Sequence, residues 1–191
     1  MKLDAAAVER LTVDLLPRAW LRLTPTKFAA TPLGMGYGET RFASPSKSFK
    51  VLYIARNLVT CMAETIVRDR FVGKARRRLT RDEIDAWGIT EIAATAPLSL
   101  LDIRATGPVQ LGVPTNAIRG KAHAAGRRLS EALYATAPTV DGILYPSRLT
   151  NDVCIAVYDR AATKLFAGAV HPVSRQAGLV PALMELNITI L

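Results

Sequence analysis

A mixed α+β domain, with a core of short strands and helices flanking it, is the fold class this sequence predicts. Three observations lead there. Short β-prone apolar runs recur between residues 19 and 158, bounded by Pro, Gly and polar residues. Only two segments, around 58–66 and 119–135, keep strong helical spacing. The runs and helices do not alternate regularly, as a βαβ array would require. No internal repeat or low-complexity tract is present. A length of 191 residues fits one domain, and a hydrophobic share of 50% is enough for a substantial core, which excludes disorder across the chain.

Taken in order, residues 3–16 read as an amphipathic helix that Pro17 stops, giving a helical extension over 1–18 ahead of a main domain over 19–191. Ala19 to Leu23 alternates as a first strand, with Arg22 opposite Leu21 and Leu23. Thr24 to Gly38 holds two prolines and three glycines and reads as a long loop, the kind that often carries function. The stretch from Gly36 to Phe71 is loop, strand and helix. Arg41 follows the glycines, Val51 to Ala55 is a buried strand, Asn57 is placed to cap, and Leu58, Met62, Thr65 and Ile66 recur at helical spacing. Glu64 sits inside that helix among apolar neighbours. Either it is a solvated helix residue and Arg41 pairs at the surface, or both face a cleft, because a lone buried carboxylate is costly.

The basic run Arg68 to Arg81 reads as a solvated helix end and loop, followed by a short helix over 82–87. Residues 90–95 and 98–103 suit strands separated by Pro97, and 106–114 is a Gly/Pro-rich connection. In the helix over 119–135, Ala122, Ala125, Leu129, Ala132 and Leu133 form the apolar face, and Ser130 and Glu131 face outward. Val140 to Tyr145 is a strand running into a turn, so Ser147 lies at a strand end. Residues 153–158 form another strand, and the apolar runs at 163–171 and 186–191 suit strands too. Cys61 and Cys154 give no disulfide framework and read as small core residues.

The net charge of +9 points to an anionic partner without choosing among nucleic acid, a phosphorylated small molecule and an acidic protein. The basic run lacks aromatic interleaving and any nucleic-acid-binding motif. There is no GxGxxG after a strand and no GxxxxGK[ST], and Ser147 in YPSR is not a nucleophile elbow. His123, read as solvent-facing on its helix, and His171, read as a loop residue, sit in no metal-ligand spacing, so no metal is expected. With neither a signal peptide nor a membrane-length apolar run, the expectation is a soluble, cytoplasmic protein.

Three pieces in order carry a resemblance: Arg41-Phe42-Ala43, then Val51 to Ala55 through Ala63-Glu64-Thr65, then Asp141-Gly142-Ile143-Leu144-Tyr145-Pro146-Ser147. Together they resemble the RES-domain family, over roughly residues 20–170. Residues Thr40 to Ala43 depart from the family's usual G-R-W-N, and the stretch from Arg41 to Tyr53 is slightly longer than usual. The resemblance implies a fold like that of ADP-ribosyltransferases and a toxin of a bacterial toxin–antitoxin pair that cleaves the nicotinamide–ribose bond of NAD, by hydrolysis or phosphorolysis. The alternative is a protein ADP-ribosyltransferase with the same site and a protein acceptor. A non-catalytic nucleic-acid-binding protein is a more remote alternative.

The family's functional residues fall on Arg41, Tyr53, Glu64 and Ser147. On this reading Arg41, with Arg22, holds the pyrophosphate. Glu64 stabilises the oxocarbenium-like ribose, Tyr53 stacks on nicotinamide, and Ser147 bonds the ribose or phosphate. The implied partner is a helix-turn-helix (Xre-type) antitoxin that covers the active site. No membrane and no direct nucleic-acid contact are expected.

Overall fold

All 191 residues are described in a computed structural model. The first half of the chain forms α1 (Ala5–Leu11), β1 (Thr12–Leu15), β2 (Trp20–Pro25), β3 (Val51–Ala55), α2 (Leu58–Met62), a π-helical segment (Ala63–Val67), α3 (Arg68–Arg70), β4 (Arg77–Leu79), α4 (Arg81–Asp85) and β5 (Trp87–Ala94). The second half forms β6 (Leu98–Asp102), α5 (Gly107–Gln110), α6 (Asn116–Arg119), α7 (Ala124–Thr136), β7 (Gly142–Pro146), β8 (Val153–Tyr158), β9 (Leu165–Ala167), β10 (His171–Pro172), α8 (Leu179–Glu185) and β11 (Ile188–Ile190). This is the mixed α+β domain the sequence predicts.

One nine-stranded sheet organises the chain in the order β1-β6-β7-β8-β3-β2-β5-β10, with β9 also on β5. All its pairs are antiparallel except β6 with β7. The central strands are apolar throughout because both their faces are covered. Ala55, Ile143, Tyr145, Cys154, Ala156 and Tyr158 belong to the larger core, under the helices. The residues between them, Leu52, Ile54, Leu144, Ile155 and Val157, build a smaller core with Trp20 and Leu98 on the other face. That period of two fixes which side chains can reach the site.

Five sequence expectations change. The helix expected over 3–16 ends at Leu11, because Thr12 and Val13 are β-branched and Thr12–Leu15 pairs with Leu98–Leu101 at the sheet edge. The basic run is not wholly helix end and loop, since Arg77–Leu79 pairs in parallel with Ile188–Ile190. The helix expected over 119–135 is split, α7 starting at Ala124 with His123 as its N-cap residue. Ser130 does not face outward; it is fully buried. His171, expected in a loop, pairs with Ile89. The strands at 51–55 and 153–158 form as expected, and Cys61 and Cys154 are buried and unbridged.

No helix is long and apolar enough to cross a membrane.

Candidate active site

Glu64 lies on the π-helical segment, which opens where the Arg68 N–H reaches back five residues to the Ala63 carbonyl. Met62, Ala63, Ile66 and Val67 turn into the core, leaving Glu64, Thr65 and Arg68 half-buried on the other side. Three ties from one helical stripe join this helix to the turn after β7. Asn57 caps α2 by accepting from the Thr60 N–H (2.9 Å) and bonds the Asp152 carboxylate through its amide. The Thr60 and Thr150 hydroxyls meet at 2.9 Å. Ser147 Oγ donates to Glu64 Oε1 at 2.6 Å.

Ser147 is fully buried, and its Oγ also accepts from the Leu149 and Thr150 N–H groups at 3.1 and 3.2 Å. The hydroxyl therefore caps its own turn and aims the carboxylate with its only proton. The sequence expectation gave Ser147 a direct bond to ribose or phosphate; in the structure its proton goes to Glu64.

Arg41 enters from the loop between β2 and β3. The Tyr53 hydroxyl accepts from Thr40 Oγ1 (2.8 Å) and from the Phe42 N–H (3.0 Å), gripping the chain on both sides of Arg41. Phe42 is fully buried and packs edge-on against Tyr145, with ring centroids 4.9 Å apart. A stripe of α7 holds the same loop. His123 Nδ1 donates to the Glu39 carbonyl (2.9 Å), Ser130 Oγ to the Phe42 carbonyl (2.7 Å), and Glu131 accepts from Ser44 (3.2 Å) and Ser46.

So anchored, the Arg41 guanidinium makes no ion pair, and its buried Nη1 has no hydrogen-bond partner. Burial lowers its pKa, and Glu64, Tyr145 and Tyr53 nearby pull the other way. An unpaired buried N–H is costly, and an anion placed beside it would offset that cost.

Glu64, Tyr53, Thr40, Thr65, Arg68, Arg22, Tyr145 and Cys154 line a cavity of about 160 Å³. That is the size of the roughly 150 Å³ protein cavity known to bind benzene, so the space suits one six-membered ring. Burial pushes the Tyr53 phenol up to about 12 and raises Tyr145 well above its ordinary value, so both stay neutral. Arg22 reaches the cavity wall, but its guanidinium donates to the Pro32 and Gly34 carbonyls, both at 2.7 Å. Burial lowers it to about 10, which leaves it charged at neutral pH.

The structure thus brings Arg41, Tyr53, Glu64 and Ser147 to one place and keeps Arg22 at its margin. It adds Arg68, which pairs with Asp69 at 2.7 Å, and Tyr145, whose pKa responds to Glu64. The spacing of four between Glu64 and Arg68, and of two between Tyr145 and Ser147, was the available sequence signal. A larger groove of about 540 Å³, between α1 and the end of α7, includes Glu9 and Asp14 and offers no comparable anion site.

A profile described as the RES domain matches residues 17–179. A relative named "Probable toxin y4kH", from Sinorhizobium fredii (strain NBRC 101917 / NGR234), is 34% identical over 100 residues, which cover 52% of this chain and 79% of the relative. A solved structure described as the M.tuberculosis MbcT-MbcA toxin-antitoxin complex superposes with a TM-score of 0.67 over 96% of this chain and 98% of that one. Its sequence identity is 18%, so the likeness is one of fold.

Proposed function

The chain belongs to the RES-domain family, and on that premise we propose that it is the toxin of a toxin–antitoxin pair and consumes NAD by cleaving the nicotinamide–ribose bond. The observation that carries this reading is the ring-sized cavity at Glu64, whose carboxylate Ser147 fixes at 2.6 Å, with the Arg41 guanidinium unpartnered nearby.

The nicotinamide ring of NAD is a cation. Breaking its bond to C1′ sends the electron pair to the ring nitrogen, so the ring leaves neutral and needs no general acid. Positive charge is left on the ribose, as in glycoside cleavage. A carboxylate already oriented there stabilises that charge without reorganising, which is the role assigned to Glu64. An oxygen nucleophile then bonds C1′ and releases its proton. Water gives ADP-ribose, phosphate gives ADP-ribose 1″-phosphate, and a protein side chain gives an ADP-ribosylated acceptor.

Arg41 offers N–H groups that match pyrophosphate oxygens. The Tyr53 ring supplies a flat wall for nicotinamide while its hydroxyl secures the Arg41 loop. An enzyme that consumes NAD harms the cell that makes it, so the proposed antitoxin, a helix-turn-helix protein, inhibits by covering this cavity.

The test is to incubate the purified chain with NAD, with and without phosphate, and identify the products by mass. Glu64→Gln is expected to keep the fold and to lower turnover by at least about 10²-fold. A folded Glu64→Gln protein with near-normal turnover overturns the assignment.

A further inference from the structure

A cavity of about 160 Å³ takes one ring, and the rest of a dinucleotide extends beyond it. On the reading that NAD is the substrate and that its nicotinamide end lies at Glu64, the adenosine half needs a second compartment. One adjoins the first. It measures about 490 Å³ and shares Arg22 and Leu23 with the Glu64 cavity as common walls. Its remaining lining comes from β2 (Thr24, Pro25) and from the loop that follows, including Phe28, Thr31 and Met35.

Four features suit this space to a purine nucleoside. Its volume and mostly apolar walls with a few polar groups are those of small-molecule sites. Phe28, on a 3₁₀ turn, is 50% exposed, with Lys27 Nζ 5.1 Å from its ring centroid on one side. Thr24 is 6% exposed, and its Oγ1 is buried with no hydrogen-bond partner. The loop is fixed before any ligand arrives, because Arg22 ties its Pro32 and Gly34 carbonyls to β2. That same guanidinium puts a positive charge at the junction of the two compartments, where a bridging pyrophosphate would pass.

We propose that the compartment between β2 and the Thr26–Gly36 loop binds the adenosine half of NAD, with Phe28 stacking on the base and Thr24 Oγ1 bonding its edge. Arg22 is then a positioning residue at the pyrophosphate, acting through the loop it holds.

Equilibrium binding of AMP to the full chain, read by calorimetry, tests this without relying on turnover. AMP is expected to bind the parent protein and to bind Phe28→Ala at least about fivefold more weakly, the lower end of what losing one base–aromatic stack costs. Thr24→Val, which removes an unpartnered hydroxyl, is expected to match or exceed the parent in thermal stability and still to bind AMP more weakly. Glu64→Gln is expected to bind AMP as the parent does. If AMP does not bind, or binds all four proteins alike, the compartment is not an adenosine site, whether or not NAD is consumed. If AMP binding follows this pattern and NAD is not consumed, the compartment stands and the NAD-cleaving reading falls.

Discussion

The Ser147 hydroxyl accepts two backbone N–H groups and donates to Glu64, so its removal has two separable consequences. The turn loses its cap, which costs about 1 kcal/mol. Glu64 loses the bond that aims it, which acts on the transition state more than on substrate binding. Ser147→Ala is therefore expected to lower kcat about tenfold or more while moving KM for NAD less than about threefold. A KM rise with kcat unchanged would show instead that the hydroxyl touches the ground-state substrate. At this scale the sequence was legible where a motif spoke for itself, as with Arg41, Tyr53, Glu64 and Ser147. It was silent on what each side chain bonds to. Asp141, in the same motif as Ser147, turns out to be structural: it accepts from the Ser99 N–H (2.9 Å) and pairs with Lys164 (2.6 Å). Ser130 and Glu131 hold the Arg41 loop, which lies more than eighty residues earlier, and no local pattern could have shown it.

Among the elements, α7 matters for what it holds in place. Its N-cap residue 123 and its residues 126, 127, 130 and 131 form one stripe against the loop over 39–46, and Gly126 lets the two backbones touch. A Cβ there would lie 2.6 Å from the Ala117 carbonyl oxygen, 2.7 Å from that of Arg41 and 2.8 Å from Arg41 Cγ. In an open helix Gly→Ala gains up to about 1 kcal/mol. Here the clash is with backbone and decides the sign. Gly126→Ala is expected to lower the thermal midpoint and to raise KM for NAD through a displaced Arg41. A raised midpoint with unchanged KM would show that the loop relaxes freely. The strands the sequence missed share one cause, a distant partner. β4 exists because β11 pairs with it from more than a hundred residues away, and β1 because β6 offers an edge to Thr12–Leu15. The π-helical segment was hidden for another reason. Leu58, Met62, Thr65 and Ile66 satisfy ordinary helical spacing, and the shift to a five-residue bond follows tertiary packing.

For the whole molecule the question is what the net charge of +9 does. The basic run starts at the cavity wall with Arg68 and continues outward through exposed Lys74, Arg76, Arg78 and Arg81. Arg77 within it is structural, donating to the Lys74 and Leu186 carbonyls. A distant field acts on the net charge of NAD, in which the pyridinium cancels one of the two phosphates, so the exposed arginines gain little from each encounter. Arg41, in close contact, would meet the phosphates alone in a desolvated setting where the bond is strong. Arg41→Ala is therefore expected to weaken NAD binding about tenfold or more, and Arg76→Ala less than about twofold. Salt separates the two further. Raising ionic strength from about 0.1 M to 1 M shortens the screening length from roughly 10 Å to 3 Å, which should erase the Arg76 effect and leave the Arg41 effect largely standing. NAD titrations of both variants at the two salt concentrations measure this. Equal losses, or an Arg41 effect that vanishes with salt, would place the phosphate contact on the exposed run rather than in the buried loop.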